Sequence, residues 1–463
     1  MSKSNFILQT DSYKTSHFLQ YPKGTTKVSS YIEARGGDSA TVCFFGLQIF
    51  LKQLAEVEIT ESDVLQAERV ITAHGLPFNS EGWMIIVNDH GGKIPVIIEA
   101  LDEGSVVPVG TPLVQLYNTD PRLPWLTSYL ETALLRAVWY PTTVTTISRK
   151  AKTLIRGYLD KTADNPETEI AFKLHDFGAR GVSSKESAEV GGLAHLVNFL
   201  GSDTLEAIAA AEEYYNEPMA GFSVPAAEHS TITSWGRANE KSAYQNMIDQ
   251  FGGSGKIYAV VSDSYDIYNA CAQLWGQDLR QEVINKGGTL VIRPDSGDPV
   301  EVTLKVIQIL EEKFGITLNS KGYKVLPPCI RIIQGDGVNF ESIERILKTY
   351  ESYGYSASNI AFGMGGGLLQ KVDRDTFKFA MKASYIEIDG IGHDVYKDPV
   401  TDTGKRSKRG ILAVYRNVDG SIVSKNHIEE GNLLKKVFEN GKVVKTSSLN
   451  EVRQKSEVNY EFN

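Results

Sequence analysis

IAFKLHDF at Ile170–Phe177 is the first of six short apolar runs that each stop on a polar or glycine-rich signature. The others are GFSVPAAEH (Gly221–His229), IYAVVSD (Ile257–Asp263), TLVIRPD (Thr289–Asp295), IRIIQGD (Ile330–Asp336) and IAFGMGGG (Ile360–Gly367). Stretches with helical spacing follow most of them. This is the rhythm of repeated βα units, in which strand C-termini converge on one rim and carry the chemistry there. That rim holds two histidines, several aspartates, two arginines and a glycine-rich loop. Such a concentration of acid, base and phosphate-binding groups argues for an enzyme acting on a phosphorylated substrate. The run starts lie about 30 to 50 residues apart, and this irregular spacing fits both an irregular α/β barrel and an open doubly wound sheet.

The flanks differ from the centre. Ile59–His74 reads as a helix, and PVIIEALDEGSVVPVGTPLVQLYN (Pro95–Asn118) is β-rich with Gly104 and Gly110 as turns. Trp125–Trp139 and Thr143–Leu159 read as two further helices. After Gly410 the chain returns to hairpins, with Asp419-Gly420 and Asn440-Gly441 as two-residue turn signals. The expected organisation is a central α/β domain at 151–385 and a second, β-rich domain built from both ends, 1–150 and 386–463.

At 463 residues the chain can bury a large core. Its 48 Lys and Arg against 57 Asp and Glu leave a net charge of −9, which argues against a dedicated nucleic-acid binder. Cys43, Cys271 and Cys329 cannot build a disulfide framework and lack metal-ligand spacing, as expected of thiols in a reducing compartment. The N-terminal stretch MSKSNFILQTDSYKTSH has no signal-type apolar segment, and no run of 18 apolar residues occurs. A cytoplasmic protein without a membrane segment is expected.

The chemistry concentrates at the run ends. In Gly363–Gln370 (GMGGGLLQ), glycines let backbone N–H groups approach an anion, a helix start adds a favourable dipole, and Arg374 follows one to two turns on. The loop is neither a Walker A motif nor a GxGxxG fingerprint. In Arg293-Pro294-Asp295 a guanidinium suits phosphate and a carboxylate suits sugar hydroxyls. Gly335-Asp336-Gly337 repeats the second theme. Asp263 fits ribose, Mg²⁺ support or a helix cap. His229 beside Glu228 fits a base, an acid or a phosphate acceptor. Phe177 fits stacking on a flat ring or core packing, and Arg180 fits a phosphate. Lys397 and Lys405 belong to a basic segment that is either solvated or holds polyphosphate. No Ser-His-Asp arrangement, CxxC pair or HExxH motif occurs.

Together DSYK (Asp11–Lys14), KLHDFGARG (Lys173–Gly181), VPAAEHSTI (Val224–Ile232), VVSDSYDIYNA (Val260–Ala270), IRPDSG (Ile292–Gly297), IQGDG (Ile333–Gly337), FGMGGGLLQK (Phe362–Lys371) and KDP (Lys397–Pro399) resemble the nicotinamide phosphoribosyltransferases, in order, from about residue 5 to about 460. The resemblance implies a type II phosphoribosyltransferase fold, an irregular α/β barrel with a β-rich second domain, assembled as a homodimer. It implies the joining of nicotinamide to phosphoribosyl pyrophosphate with Mg²⁺, giving nicotinamide mononucleotide and pyrophosphate, stimulated by hydrolysed ATP. It places Phe177 and Tyr13 of the other subunit on the two faces of the nicotinamide ring, Asp203 on the carboxamide, and Ser223 in the substrate site. Arg180, Arg293, Gly365, Gly366 and Arg374 fall on phosphates, and Asp295 and Asp336 on the ribose; Gly335, Lys397 and Lys405 are further expected substrate-binding residues. His229 falls on the phosphorylated histidine, and His229, Asp263, Arg293 and Asp295 are the expected catalytic residues. Ala179 and Met364 depart from the tyrosine and serine that members often carry. The alternatives are a nicotinate phosphoribosyltransferase of the same fold, which a carboxylate at Asp203 would disfavour, and a secreted signalling or purely binding role.

Overall fold

The structure, a computed structural model, describes residues 5–401 and 406–457. The chain divides into two compact units. One comprises Ile147–Glu212 with Pro218–Val372, and the other Met1–Thr146 with Glu213–Glu217 and Asp373–Asn463.

The first unit is built on six parallel strands: β1 (Leu174–Asp176), β2 (Gly201–Ser202), β3 (Ile257–Val261), β4 (Thr289–Arg293), β5 (Ile330–Gln334) and β6 (Ile360–Met364). Their spatial order is β2-β1-β6-β5-β4-β3, every pairing parallel. The two edges are joined by the segment 221–227. Phe222 bridges Gly201 in β2, and Ala226 bridges Ala259 in β3. The ring closes as an irregular barrel, which excludes the open doubly wound sheet. Gly221–His229 reads in sequence as a full strand but makes only these single bridges. Pro225 has no N–H to extend a ladder, although its carbonyl accepts from Ala259 N at 2.9 Å.

Helices cover the outside. Asp298 caps the helix Pro299–Phe314 by accepting from Val300 N and Glu301 N, and Gly315 at φ 83° ends it. Its stripe of Val306, Ile307 and Leu310 is fully buried. Within β4 the alternation is clear. Leu290 and Ile292 are fully buried, while Thr289, Val291 and Arg293 line an internal cavity.

The second unit carries a seven-stranded antiparallel sheet in the order Ile391–Asp394, Ala380–Ile388, Thr25–Glu33, Val114–Asn118, Val96–Ala100, Lys435–Glu439, Lys442–Val443. Three strands from the N-terminal part form its centre, and strands from the C-terminal part flank them on both sides. Asn440 (φ 47°) and Gly441 (φ 81°) form the turn of its last hairpin. The two helices expected around Pro141 are instead one, Glu131–Thr162, with Pro141 inside. A proline there costs about 3 kcal/mol. Tertiary bonds offset it, because Thr142 Oγ1 contacts both Phe45 N and Phe45 O and Thr146 Oγ1 accepts from Cys43 N.

The segment Glu213–Glu217 joins this unit through Tyr215, whose hydroxyl donates to the buried Glu103 at 2.6 Å while Gln48 N donates at 2.8 Å. Burial nevertheless pushes the Glu103 carboxyl up to about 7 from its ordinary 4.5. Folding thus favours its protonated form. That contribution is complete below about pH 4.5 and is lost as the pH rises through about 7, a span of about 3 kcal/mol. Glu103→Gln is expected to flatten the fall of Tm between about pH 5 and pH 8. A slope equal to wild type in that window, measured by calorimetry, would contradict this assignment.

Candidate active site

All six strands deliver their C-termini to one rim, and the predicted residues of the barrel lie there. Phe177 follows β1, Asp203 follows β2, and Asp263 follows β3. Arg293 ends β4 with Asp295 two residues on, Gly335 and Asp336 follow β5, and Gly365 and Gly366 follow β6. The closing segment supplies Ser223 and leads to His229.

Four of these residues form one network. His229 Nε2 lies 2.9 Å from Asp263 Oδ1, and His229 Nδ1 lies 3.8 Å from Asp295 Oδ2. Arg293 Nη2 lies 3.2 Å from the same Asp295 oxygen. Asp263 Oδ2 accepts from Asp295 N at 2.9 Å and from the Ser296 hydroxyl at 2.6 Å. Burial opposes charge on Asp263, but the hydrogen bonds from Ser296, His229 and the Asp295 amide outweigh it and hold the carboxyl below its usual range. An ionised Asp263 only accepts, so the Nε2–H of His229 donates to it, and Nδ1 is the ring nitrogen that faces Asp295.

A second cluster forms a slot for a flat ring. Phe177 packs where a Cβ on Gly363 would lie 2.0 Å from its ring and one on Gly335 3.2 Å away. Gly363 is required for that approach, and Gly335 eases it. Asp203 stands exposed beside it, its Oδ1 accepting from the Ser223 hydroxyl. Phe177, Asp203, Ser223 and Arg293 all line a cavity of about 770 Å³. This cavity continues through the barrel past Ala259, Val291 and Ala361 to Lys173 and Arg331. Alanines at 259 and 361 leave room inside, where a (β/α)₈ barrel core is packed with branched residues. Arg293 Nε is buried in it without a hydrogen-bond partner, a guanidinium edge available to a ligand oxygen. His175 also lines it. Burial lowers its pKa against the pull of Asp203, so its ring adds no positive charge to the slot.

The glycine loop departs from expectation in one respect. Its helix is a single turn, Gly366–Leu369, so the dipole contribution is small and first-turn amides are the main donors. Met364 is buried, its carbonyl accepting from Phe177 N at 3.0 Å. Arg180 is exposed on the loop after β1. Tyr13, Arg374 and Lys397 belong to the other unit and are exposed there. Lys405 lies outside the described residues. Sequence reasoning does not single out Asp176, fully buried at the end of β1. Its signal is a carboxylate inside an apolar run, immediately before Phe177.

The model of the nicotinate phosphoribosyltransferase family matches residues 172–442, and that of the nicotinamide phosphoribosyltransferase N-terminal domain matches residues 5–98. A nicotinamide phosphoribosyltransferase of Xanthomonas campestris is 52% identical over 97% of each chain. The chain belongs to the nicotinamide phosphoribosyltransferase family. A family member of the same name from Acinetobacter baylyi is 34% identical over 96% of this chain and 95% of its own. Solved structures show the same fold. A nicotinate-nucleotide pyrophosphorylase from Pyrococcus furiosus matches with a TM-score of 0.64 at 18% identity, covering 98% of this chain and 96% of its own. Human nicotinic acid phosphoribosyltransferase matches with a TM-score of 0.56 at 16% identity, covering 97% and 93%.

The ring slot makes a stability prediction. Gly363→Ala forces a Cβ into the Phe177 ring and is expected to destabilise the protein by about 1–3 kcal/mol. A denaturant midpoint equal to wild type would place the ring elsewhere.

Proposed function

We propose that the protein transfers the phosphoribosyl group of phosphoribosyl pyrophosphate to nicotinamide, forming nicotinamide mononucleotide and pyrophosphate in NAD salvage. The observation that carries the choice of nicotinamide is Asp203, a carboxylate held by Ser223 in the slot beside Phe177. It can accept a carboxamide N–H and repels a carboxylate.

The chemistry demands little acid–base help. The bond from C1 of the ribose to pyrophosphate breaks, positive charge builds on the sugar ring, and the pyridine nitrogen forms the new bond from the opposite face. That nitrogen already carries a lone pair, so the protein orients the partners and stabilises the departing diphosphate. Asp295 and Asp336 suit the ribose hydroxyls. Arg180, Arg293, Arg374, Lys397, Lys405 and the amides at Gly365 and Gly366 suit the phosphates. Among the described residues no group of three or more His, Cys, Asp or Glu side chains is placed to hold a metal. Mg²⁺ takes one or two carboxylates and fills its shell with substrate oxygens and water, for which Asp263 and Asp295 are suitable donors. When bound, it offsets the charge of the diphosphate.

ATP stimulation through His229 belongs to the same reading. With Nε2 tied to Asp263, Nδ1 is the nitrogen open to a phosphoryl group, ADP being the leaving group. The active assembly is a homodimer in which Tyr13 of one subunit closes the ring slot of the other. No helix among the described residues is long and apolar enough to cross a membrane, and a cytoplasmic location accords with the free thiols.

The direct test is mass spectrometry of the mononucleotide formed from each pyridine substrate. Product from nicotinamide far in excess of product from nicotinate is expected, and the reverse preference overturns the reading. Asp203→Ser removes the repulsion, on the order of a few kcal/mol between close like charges in a partly desolvated slot. It should weaken nicotinamide use and raise kcat/KM for nicotinate. An unchanged ratio would show that selectivity is set elsewhere. His229→Ala is expected to abolish ATP stimulation while some basal transfer persists, and full stimulation in the variant would remove the phosphohistidine step.

A further inference from the structure

Asp176 is fully buried at the end of β1, and the proposed chemistry assigns it no contact with substrate. Its carboxyl touches both walls of the ring slot. Oδ1 accepts from Gly178 N at 2.7 Å, on the loop that carries Phe177. Oδ2 accepts from the Thr204 hydroxyl at 2.6 Å, on the turn that carries Asp203. The backbone carbonyl of Asp176 accepts from Asp203 N at 3.0 Å, and Thr204 N donates to Ser202 Oγ at 3.1 Å within the same turn.

The carboxyl is closely packed. A Cβ on Gly178 would lie 2.6 Å from the Leu369 side chain and 3.0 Å from Oδ1, and one on Gly192, in the helix Lys185–His195, would lie 2.7 Å from Ala207 and 3.0 Å from Oδ2. Any larger residue at either position would press on the carboxyl as well as on its apolar neighbours. Burial raises the carboxyl to about 6, with the hydrogen bonds from Thr204 and Gly178 opposing the rise. A buried carboxylate is retained only where its hydrogen bonds hold something in place.

We propose that Asp176 is a positioning residue for pyridine recognition, a buried carboxyl that locks the Phe177 wall and the Asp203 wall of the slot at a fixed separation. This rests on the proposed transfer to nicotinamide. It touches no reacting atom, and of the proposed phosphate-binding groups Arg180 shares the loop it holds. Its loss therefore acts more on the pyridine than on phosphoribosyl pyrophosphate.

Three variants test it. Asp176→Ala removes both bonds and is expected to raise the nicotinamide KM about tenfold or more, with a smaller rise of about threefold at most in the KM for phosphoribosyl pyrophosphate, because Arg180 shares the loosened loop, and kcat within about twofold. Asp176→Asn rescues most of this. Its Oδ1 still accepts from Gly178 N, and its Nδ2 donates to the Thr204 oxygen, because that hydroxyl can rotate. Thr204→Val keeps the volume, removes one bond and is expected to raise the nicotinamide KM by about threefold to fivefold. It remains informative if Asp176→Ala does not fold. Hydrogen exchange gives a readout free of the assay, since amides of the 177–181 loop and the 202–205 turn should lose protection together in Asp176→Ala and Thr204→Val. If wild type makes no mononucleotide, the proposed function fails, while the exchange result still decides the clamp. Equal rises in both substrate KM values, an Asn variant as impaired as Ala, or exchange confined to one segment would each overturn the proposal.

Discussion

The parallel register of β1 to β6 is the constraint on which the rest of the structure depends. Parallel strands all finish at the same end. Phe177, Asp203, Asp263, Asp295, Asp336 and Gly365 therefore emerge on one rim although they are spread over almost 190 residues of chain. Backbone pairing, not side-chain attraction, assembles the site. The network among His229, Asp263, Arg293 and Asp295 then adjusts what pairing has already brought together.

A hollow interior is the second requirement. Ala259, Ala361 and Gly363 leave room where a packed barrel would place branched side chains, and Phe177 turns into that room against Gly363. A flat aromatic ring can then enter edge-first, rest on Phe177 and meet Asp203, while the charged rim is left to sugar and phosphates. On the proposed reading, the division separates recognition of the base from recognition of phosphoribosyl pyrophosphate. An uncharged ring and a highly charged donor need opposite environments, and the barrel mouth provides them side by side.

Much of this was legible in the chain itself. β1, β3, β4, β5 and β6 each end an apolar run with a chemical signature, because a buried strand must be apolar until it reaches the rim. β2 was not legible, because Gly201–Ser202 is too short to leave an apolar pattern. The closing segment looked like a full strand, yet Pro225 limits it to single bridges. Pro141 read as a helix break until the hydrogen bonds of Thr142 and Thr146 are seen to carry the helix through. Asp176 stayed hidden for a similar reason. Only the fold brings Thr204 and Gly178 to the two oxygens of one carboxyl.

The central claim is that the pyridine ring is read inside the barrel mouth, by Phe177 on its face and Asp203 on its substituent. A crystal structure of the protein with nicotinamide mononucleotide tests it most directly. The account predicts the ring stacked on Phe177 with the carboxamide N–H donating to an Asp203 oxygen. A ring bound outside the mouth, or a carboxamide turned away from Asp203, would contradict it.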